Sequence, residues 1–424
     1  MESKVHNLVD HFFRKESGKM IAVLTKLFGS NNLLLAEDIV QETLIEAINN
    51  WTYNGLPQNP TAWLYQVAKN KSLNAIKREG YQKKYVRETL NEPHTPQNIE
   101  INFESIFSEK EIFDDKLRMM FMCCHPSISP DSQIALILKT LCGFSISEIA
   151  KAFLTNNDNI NKRLVRARKT IRQNKIQFEV PNKKDIADKL EVVLEAIYLL
   201  FNEGYSASSG EQLIRKELCE EAIRLSQIIA DSPLVNNKAN VYALLALMQL
   251  NASRFNAREP DLGVIHTLEH QDRSLWDFQI MEKGFNNLKL AAEAEYISSY
   301  HILASTSDYH CSARDFQSSD WNSILTLYNK LLLIKKSPVI LLNRAICLSK
   351  LGFVEDAIEE LNNIRQEKSM QSNYLFHCTM AEFSFQLEEF DKGIEELKKA
   401  ITLAPTHAEK TLLESRYKKY FREN

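Results

Sequence analysis

Apolar residues recur every three or four positions along almost the whole chain, the period of helices that bury one face. Leu8, Phe12, Ile21, Leu24, Leu27 and Phe28 mark one such helix, and Leu35, Ile39, Leu44, Ala47, Ile48 and Trp51 a second. The run Gly55-Leu56-Pro57-Gln58-Asn59-Pro60 interrupts the pattern, with Pro60 where a helix start tolerates proline. Periodicity resumes through Trp63, Leu64, Val67, Ala68, Leu73 and Ile76, closing a first helical unit over 1–87. Residues 88–113 hold Pro93, Pro96, several Asn and many acids with weak periodicity, which predicts a linker. A second unit, 114–178, starts a helix near Asp114-Asp115, adds another over 129–142, and ends in two helices joined by a polar turn.

That last pair reads SISEIAKAFLTNNDNINKRLVRARKTIR. Ile146, Ile149, Ala150 and Phe153 give its first helix an apolar face. After the break at Leu154-Thr155-Asn156-Asn157, with Asn157 or Asp158 as cap, Ile160, Leu164, Ala167 and Ile171 form the inward stripe of the second. Lys162, Arg163, Arg166, Arg168, Lys169 and Arg172 cover the rest. This is the helix-turn-helix layout, which lays its second helix in the major groove. A solvated basic helix of any all-α protein has the same pattern.

Beyond Val180-Pro181-Asn182 the chain reads as helical throughout 181–424. Ala345, Ala357 and Ile364 recur as Ala381, Gly393 and Ala400, each 36 residues later. Small residues at these offsets let paired helices approach closely, and the period is near that of tetratricopeptide repeats. Repeats are therefore expected near 321–405, with Trp321–Pro338 as half of a degenerate copy. Only 11 Gly and 11 Pro in 424 residues agree with an all-α fold and argue against β-sandwiches or barrels.

Charge sharpens this picture. Residues 1–180 carry 24 Lys and Arg against 20 Asp and Glu, and the remainder 28 against 35. Within the first part the sign alternates: Lys69–Arg87 holds seven bases and one acid, Glu88–Lys116 eight acids and two bases, and Asp158–Lys175 seven bases and one acid. Two basic patches on an acidic tether point to two nucleic-acid contacts. The helix over 61–78 interleaves Trp63, Lys69, Asn70, Lys71, Asn74, Lys77 and Arg78, a mixture that suits single strands because bases stack on rings while cations hold phosphates. Trp63 reads equally well as a core residue.

Other chemistry is thin. Seven cysteines lie without a C-x-x-C pair, and adjacent Cys123-Cys124-His125 point in different directions on a helix, so buried free thiols are expected and no metal or cofactor. No P-loop, H-E-x-x-H, G-x-S-x-G or dinucleotide fingerprint occurs, so no enzyme activity is expected. No apolar run nears the roughly 20 residues of a membrane helix, and the first residues lack a signal peptide's pattern; a cytoplasmic protein without membrane contact is expected.

The segments AEDIVQETLIEAINNW and NPTAWLYQVAKNKSLNAIKRE resemble region 2 of the extracytoplasmic-function sigma factors of bacterial RNA polymerase. SPDSQIALILKTLCGFSISEIAKAFLTNNDNINKRLVRARKTIR resembles their region 4. LRMMFMCCHPSISP, FNEGYSASSGEQLIR, DRSLWD and LNRA resemble the subgroup with a long C-terminal extension of tetratricopeptide-like repeats. The resemblance implies two small helical sigma domains followed by a helical repeat domain. It implies that Asp38, Gln41 and Glu42 face the β′ clamp helices of core polymerase, with the β flap as a further partner. Helix 61–78 would take the −10 element as it melts, accepting a flipped base. Asn159, Lys162, Arg163, Arg166, Arg168, Lys169 and Arg172 would read the −35 element. Asn159 stands where the family often has Thr, and Asn74 where it commonly has Asp, which leaves base preference open. The extension would be regulatory, with a protein or ligand as partner. A helix-turn-helix regulator with a repeat sensor domain is the alternative. Phe201-Asn202-Glu203-Gly204-Tyr205 and Asp272-Arg273-Ser274-Leu275-Trp276 either line a groove or lock helices together.

Overall fold

The computed structural model describes residues 16–79, 109–153, 155–179, 183–206, 214–261 and 264–422, and no β-strand occurs among them. Leu8, Phe12, most of the linker 88–113, Leu154 and the boundary at 180–182 lie outside that set. Two compact units emerge. One takes the described residues through Leu200 together with Asp231–Asn236, and the other comprises 201–230 and 237 onward. Both sequence segments expected as separate sigma-like domains thus share the first unit.

In that unit α1 covers 16–28, followed by a 3-10 turn at Ser30–Asn32, α2 at Leu33–Asn54 and α3 at Pro60–Glu79. Asn59 caps α3 by accepting from the Ala62 amide at 3.0 Å, which explains why Pro60 costs nothing there. Leu33, Ala36, Ile39, Val40, Leu44, Ala47 and Trp51 bury the inner face of α2 against Leu64, Ala68 and Ile76 of α3. Leu35 and Ile48, expected inside, are only half-buried, because Leu33 and Val40 hold the centre of the stripe. The second sequence unit supplies α4 (Glu109–Cys123), α5 (Pro130–Thr140), α6 (Ile146–Ala152) and α7 (Asn157–Gln173).

Backbone contact joins the two halves. A Cβ on Gly18 would stand 2.1 Å from the Leu141 carbonyl oxygen, so α1 approaches the end of α5 more closely than any side chain permits. Nearby, fully buried Asp115 on α4 pairs with Arg118 and lies 3.6 Å from Lys26 Nζ of α1. Cys123 and Cys124 are buried free thiols, and burial pushes the Cys123 thiol up to about 12 despite Thr140 beside it.

Helix α8 (Lys183–Tyr205) leads into the second unit. There α9 (Lys216–Asp231) is followed by α10 (Ala239–Ala252), an almost wholly apolar helix. Helix α10 lies against α11 (Phe278–Ala291) and α12 (Ser299–Ser312), which accounts for its lack of a polar face. There follow α13 (Trp321–Ile334), α14 (Pro338–Lys350), α15 (Val354–Ile364), α16 (Tyr374–Gln386), α17 (Phe390–Leu403) and α18 (His407–Arg422), with a single short turn of helix at Lys368–Gln371 between α15 and α16. Helices pack on their chain neighbours, and the pair α14–α15 recurs as α16–α17 at the expected offset of 36. Ala345, Ala357, Ala381 and Ala400 are buried at the contacts, as the small-residue pattern requires.

The turns inside these pairs repeat as well. Gly352 has φ +90° and Glu388, at the equivalent position, φ +60°. A left-handed conformation is free for glycine and costs other residues about 1 kcal/mol. Gly352→Ala should therefore lower stability by about 1 kcal/mol, and Glu388→Gly should raise it by somewhat less because glycine loosens the unfolded chain. Urea unfolding of the two variants beside the parent measures both signs.

Candidate nucleic-acid interface

Ser145 and Glu148 form a reciprocal capping box that starts α6, with amide-to-side-chain bonds of 3.2 and 2.8 Å. The cap of α7 is Asn156, one residue before the expected Asn157 or Asp158. Its side chain accepts from the Asn159 amide at 2.9 Å, so the helix begins at Asn157. In a run of Asn and Asp several neighbours offer the same oxygen, and the one with extended backbone wins.

Side chains on α7 turn about 100° per residue, and three arcs result. Ile160, Leu164, Ala167 and Ile171 are buried as expected. Asn159, Lys162, Arg166 and Lys169 are exposed and share one side. Val165, Arg168 and Arg172 form the third arc and, with Ser30, Asn31, Leu33, Leu34 and the neighbouring Lys169 at the border of the two arcs, line a cleft of about 450 Å³. The predicted cationic surface is therefore divided. Arg163 is half-buried, its Nη2 3.0 Å from Asp131 and its guanidinium 5.1 Å from the Phe153 ring centre. Arg168 faces away from the exposed strip altogether.

Arg168 meets Glu37 of α2. Its Nη2 donates to Glu37 Oε1 at 3.0 Å, and its Nε stands 2.9 Å from the other oxygen. Glu37 is 5% exposed. Burial raises its carboxyl above the ordinary range, and the charge and hydrogen bond of Arg168 offset only part of that. Ser30 Oγ donates to the Ile176 carbonyl just beyond α7, a second tie between the halves. Sequence reasoning missed Glu37, Ser30 and Asp131. Glu37 alone carried a signal: it falls on the apolar stripe between Leu33 and Val40, where a carboxylate requires a partner.

On α3 an exposed row four residues apart comprises Ala62, Gln66, Asn70 and Asn74, with Gln66 Nε2 donating to Asn70 at 3.2 Å. Trp63 is half-buried, edge-on to buried Trp51 at 5.4 Å between ring centres, so it has both a core contact and an open edge. Lys69 is half-buried at the flank of this row. Lys77 and Arg78 lie on the last turn of α3, and their side chains are outside the described set. Lys71 bridges to α2, 3.4 Å from Glu42 and 3.0 Å from Glu46. Asp38, Gln41 and Glu42 are exposed on α2, between two exposed apolar side chains, Leu34 and Ile45. The same helix thus offers a mixed apolar and acidic face.

In the second unit Trp276 is buried with Leu250, Ala257 and Cys311, while Asp272 caps the turn that follows it. Glu203 Oε1 lies 3.3 Å from Arg215. These contacts lock helices together. No group of three or more His, Cys, Asp or Glu with metal-ligand geometry occurs among the described residues.

Three family profiles match the chain. One described as Sigma-70 region 2 matches residues 12–81, one described as Sigma-70, region 4, matches 118–171, and a family of unknown function matches 189–292. An uncharacterised protein of Rhizobium meliloti (strain 1021) is 32% identical over 382 residues, spanning 89% of this chain and 88% of its own length.

Breaking the pair between the halves should be costly. Arg168→Met leaves a carboxylate buried without its cation and should destabilise the first unit by about 3 kcal/mol, whereas the double change Glu37→Gln, Arg168→Met should recover most of that loss. Denaturant-dependent hydrogen exchange at the amides of α2 and α7, in both single variants and the double, provides the cycle; additive single losses would show that the pair is not coupled.

Proposed function

We propose that this protein, which belongs to the extracytoplasmic-function-like sigma factors with a long C-terminal extension, binds core RNA polymerase and directs it to promoters read at two places. Promoter recognition is the role of its region 2 and region 4 domains. The observation that carries the finer reading is the exposed strip Asn159, Lys162, Arg166 and Lys169 on the second helix of a helix-turn-helix. Residues near the N-terminus of such a helix contact base edges, so Asn159, Lys162 and Arg166 read the −35 element, with Asn suited to adenine and Arg to guanine. Beside Arg166 a cleft of about 400 Å³ reaches the N-terminus of α5 at Ser129 and Pro130; its walls also carry Asp131, whose charge Arg163 offsets, so Arg166 is the cation there open to a backbone phosphate. Asn70 and Asn74, with the edge of Trp63, meet the −10 element as its strands separate.

The face of Leu34, Asp38, Gln41, Glu42 and Ile45 suits a protein partner, because apolar anchors among charges give both affinity and register. Core polymerase is that partner in this reading, which also places the protein in the cytoplasm and gives it no catalytic role. No helix among the described residues is long and apolar enough to cross a membrane. The C-terminal unit regulates the promoter-binding unit.

One consequence follows from size. Elements named for positions −35 and −10 lie about 25 base pairs apart, roughly 85 Å of duplex at 3.4 Å per step. A compact unit of some 200 residues has a radius of gyration of about 17 Å. Both elements are engaged at once only when α7 leaves α2, so polymerase binding draws the Arg168–Glu37 pair apart.

Run-off transcription with core polymerase tests the reading. The full chain should support a specific product. Arg166→Ala should reduce it about tenfold or more with core pull-down unchanged, corresponding to loss of one base contact of 1–3 kcal/mol. Asp38→Arg with Glu42→Arg should instead reduce core pull-down. Duplex binding without core binding or a run-off product would favour a plain helix-turn-helix regulator.

A further inference from the structure

The second unit pairs most of its arginines with carboxylates. Arg215 lies against Glu203, Arg224 against Glu221, Arg344 against Glu360 and Arg365 against Glu396. Among the described residues Arg416 meets Cys378 rather than a carboxylate, and three more likewise have no carboxylate within ion-pair distance. They are Arg254 and Arg258, one turn apart beyond α10, and Arg273 before α11.

These three are held by aromatic faces and neutral oxygens. The Arg258 guanidinium stands 3.9 Å from the centre of the Tyr205 ring. Arg254, only 6% exposed, donates to the Tyr205 hydroxyl at 3.4 Å and to Asn251. Arg273 lies 4.4 Å from the centre of the Trp276 ring and donates to the carbonyls of His310 and Ala313 at 3.0 and 2.7 Å. After these bonds, four buried nitrogens still have no acceptor: Arg254 Nε, Arg258 Nη1, Arg273 Nη2 and His310 Nδ1. Nearby acids are committed elsewhere. Asp277 caps α11, Asp272 accepts from Ser274, and Asp315 accepts from Ser318 while pairing with Arg314.

A buried guanidinium without counter-charge is unfavourable, and several together repel one another. Two neighbouring groups feel that excess. Burial would raise the Tyr205 phenol, yet the charges of Arg254 and Arg258 outweigh it and hold the group below its ordinary value. Burial, then Arg254 and Arg273, push the His310 imidazole down to about 4, so it stays neutral. His310 also forms part of the wall of a cavity of about 740 Å³ with Trp321, Cys347, Lys350 and Arg416.

We propose that Arg254, Arg258 and Arg273, set on Tyr205 and Trp276, form an anion-binding site for the phosphate or carboxylate group of a small ligand. Guanidinium forks fixed over rings are preorganised for planar or tetrahedral oxyanions, and their free N–H groups supply the missing hydrogen bonds. The site is independent of promoter recognition, since none of its residues belongs to the first unit.

Calorimetric titration of the full chain at constant ionic strength tests the site, with inorganic phosphate in one arm, citrate in another and chloride as reference. Saturable binding of phosphate identifies a phosphorylated ligand, saturable binding of citrate a carboxylate, and either supports the site. Arg258→Lys keeps the charge but loses the fork, and should weaken the responding anion at least tenfold with circular dichroism unchanged. Should that variant misfold, partly exposed Arg273→Lys replaces it with the same expectation. Heats no different from chloride in both arms, or equal affinity in a folded lysine variant, would overturn the assignment.

Discussion

A carboxylate in the middle of an apolar helix face governs the first unit. Glu37 occupies the stripe that Leu33, Val40 and Leu44 define, where an ionised side chain is tolerable only with a cation against it. Arg168 supplies that cation from α7, 131 residues away along the chain. Once its guanidinium is fixed there, the roll of α7 about its axis is fixed too. Ile160, Leu164, Ala167 and Ile171 enter the helix-turn-helix core, Arg168 and Arg172 turn toward α2, and Asn159, Lys162, Arg166 and Lys169 are left to solvent. The pair decides which cations are free to meet DNA.

The same contact sets an energetic condition on function. Region 2 and region 4 meet through Arg168–Glu37, Ser30–Ile176 and the close passage of Gly18 by Leu141. Under the proposed reading at two promoter elements, binding must favour a separated arrangement over this closed one. Moving such an equilibrium from about 1% to about 99% open takes roughly 5.5 kcal/mol of differential binding. The apolar and acidic face on α2 lies beside Glu37 in sequence, at Asp38, Gln41 and Glu42. The exposed face and the Arg168 contact therefore share one helix, so a partner seated on that face, as proposed, would act on the helix that holds α7.

Much of this architecture was legible in the sequence because it is local. The apolar stripe of α7, the Pro60 start of α3 and the 36-residue offset rest on residues within a turn or a helix pair of one another. The repeat even extends to a left-handed turn residue, with Glu388 filling the place of Gly352. What escaped is non-local. Arg166 and Arg168 are indistinguishable as letters two apart on a basic helix, and only a partner on α2 separates them. Trp63 was ambiguous for a related reason: its place between core and surface depends on Trp51 across a turn. Basic periodicity predicts that a helix is cationic without saying which cations are already satisfied.

The arginines of the two units illustrate how surroundings divide one side chain into two chemistries. Arg166 stands in water, where its charge is screened by salt and its stem remains mobile; such a group suits a phosphate backbone or base edge met transiently. Arg258 lies flat on Tyr205, and Arg273 on Trp276, with part of each guanidinium dehydrated. Their conformational entropy is already spent and their unsatisfied N–H groups cannot turn to solvent. A cation so placed gains far more from an oxyanion than a surface one does, and discriminates its geometry more sharply. The Arg254, Arg258 and Arg273 cluster therefore differs from the exposed strip of α7, since its charge is built into the packing of helices without a carboxylate to balance it.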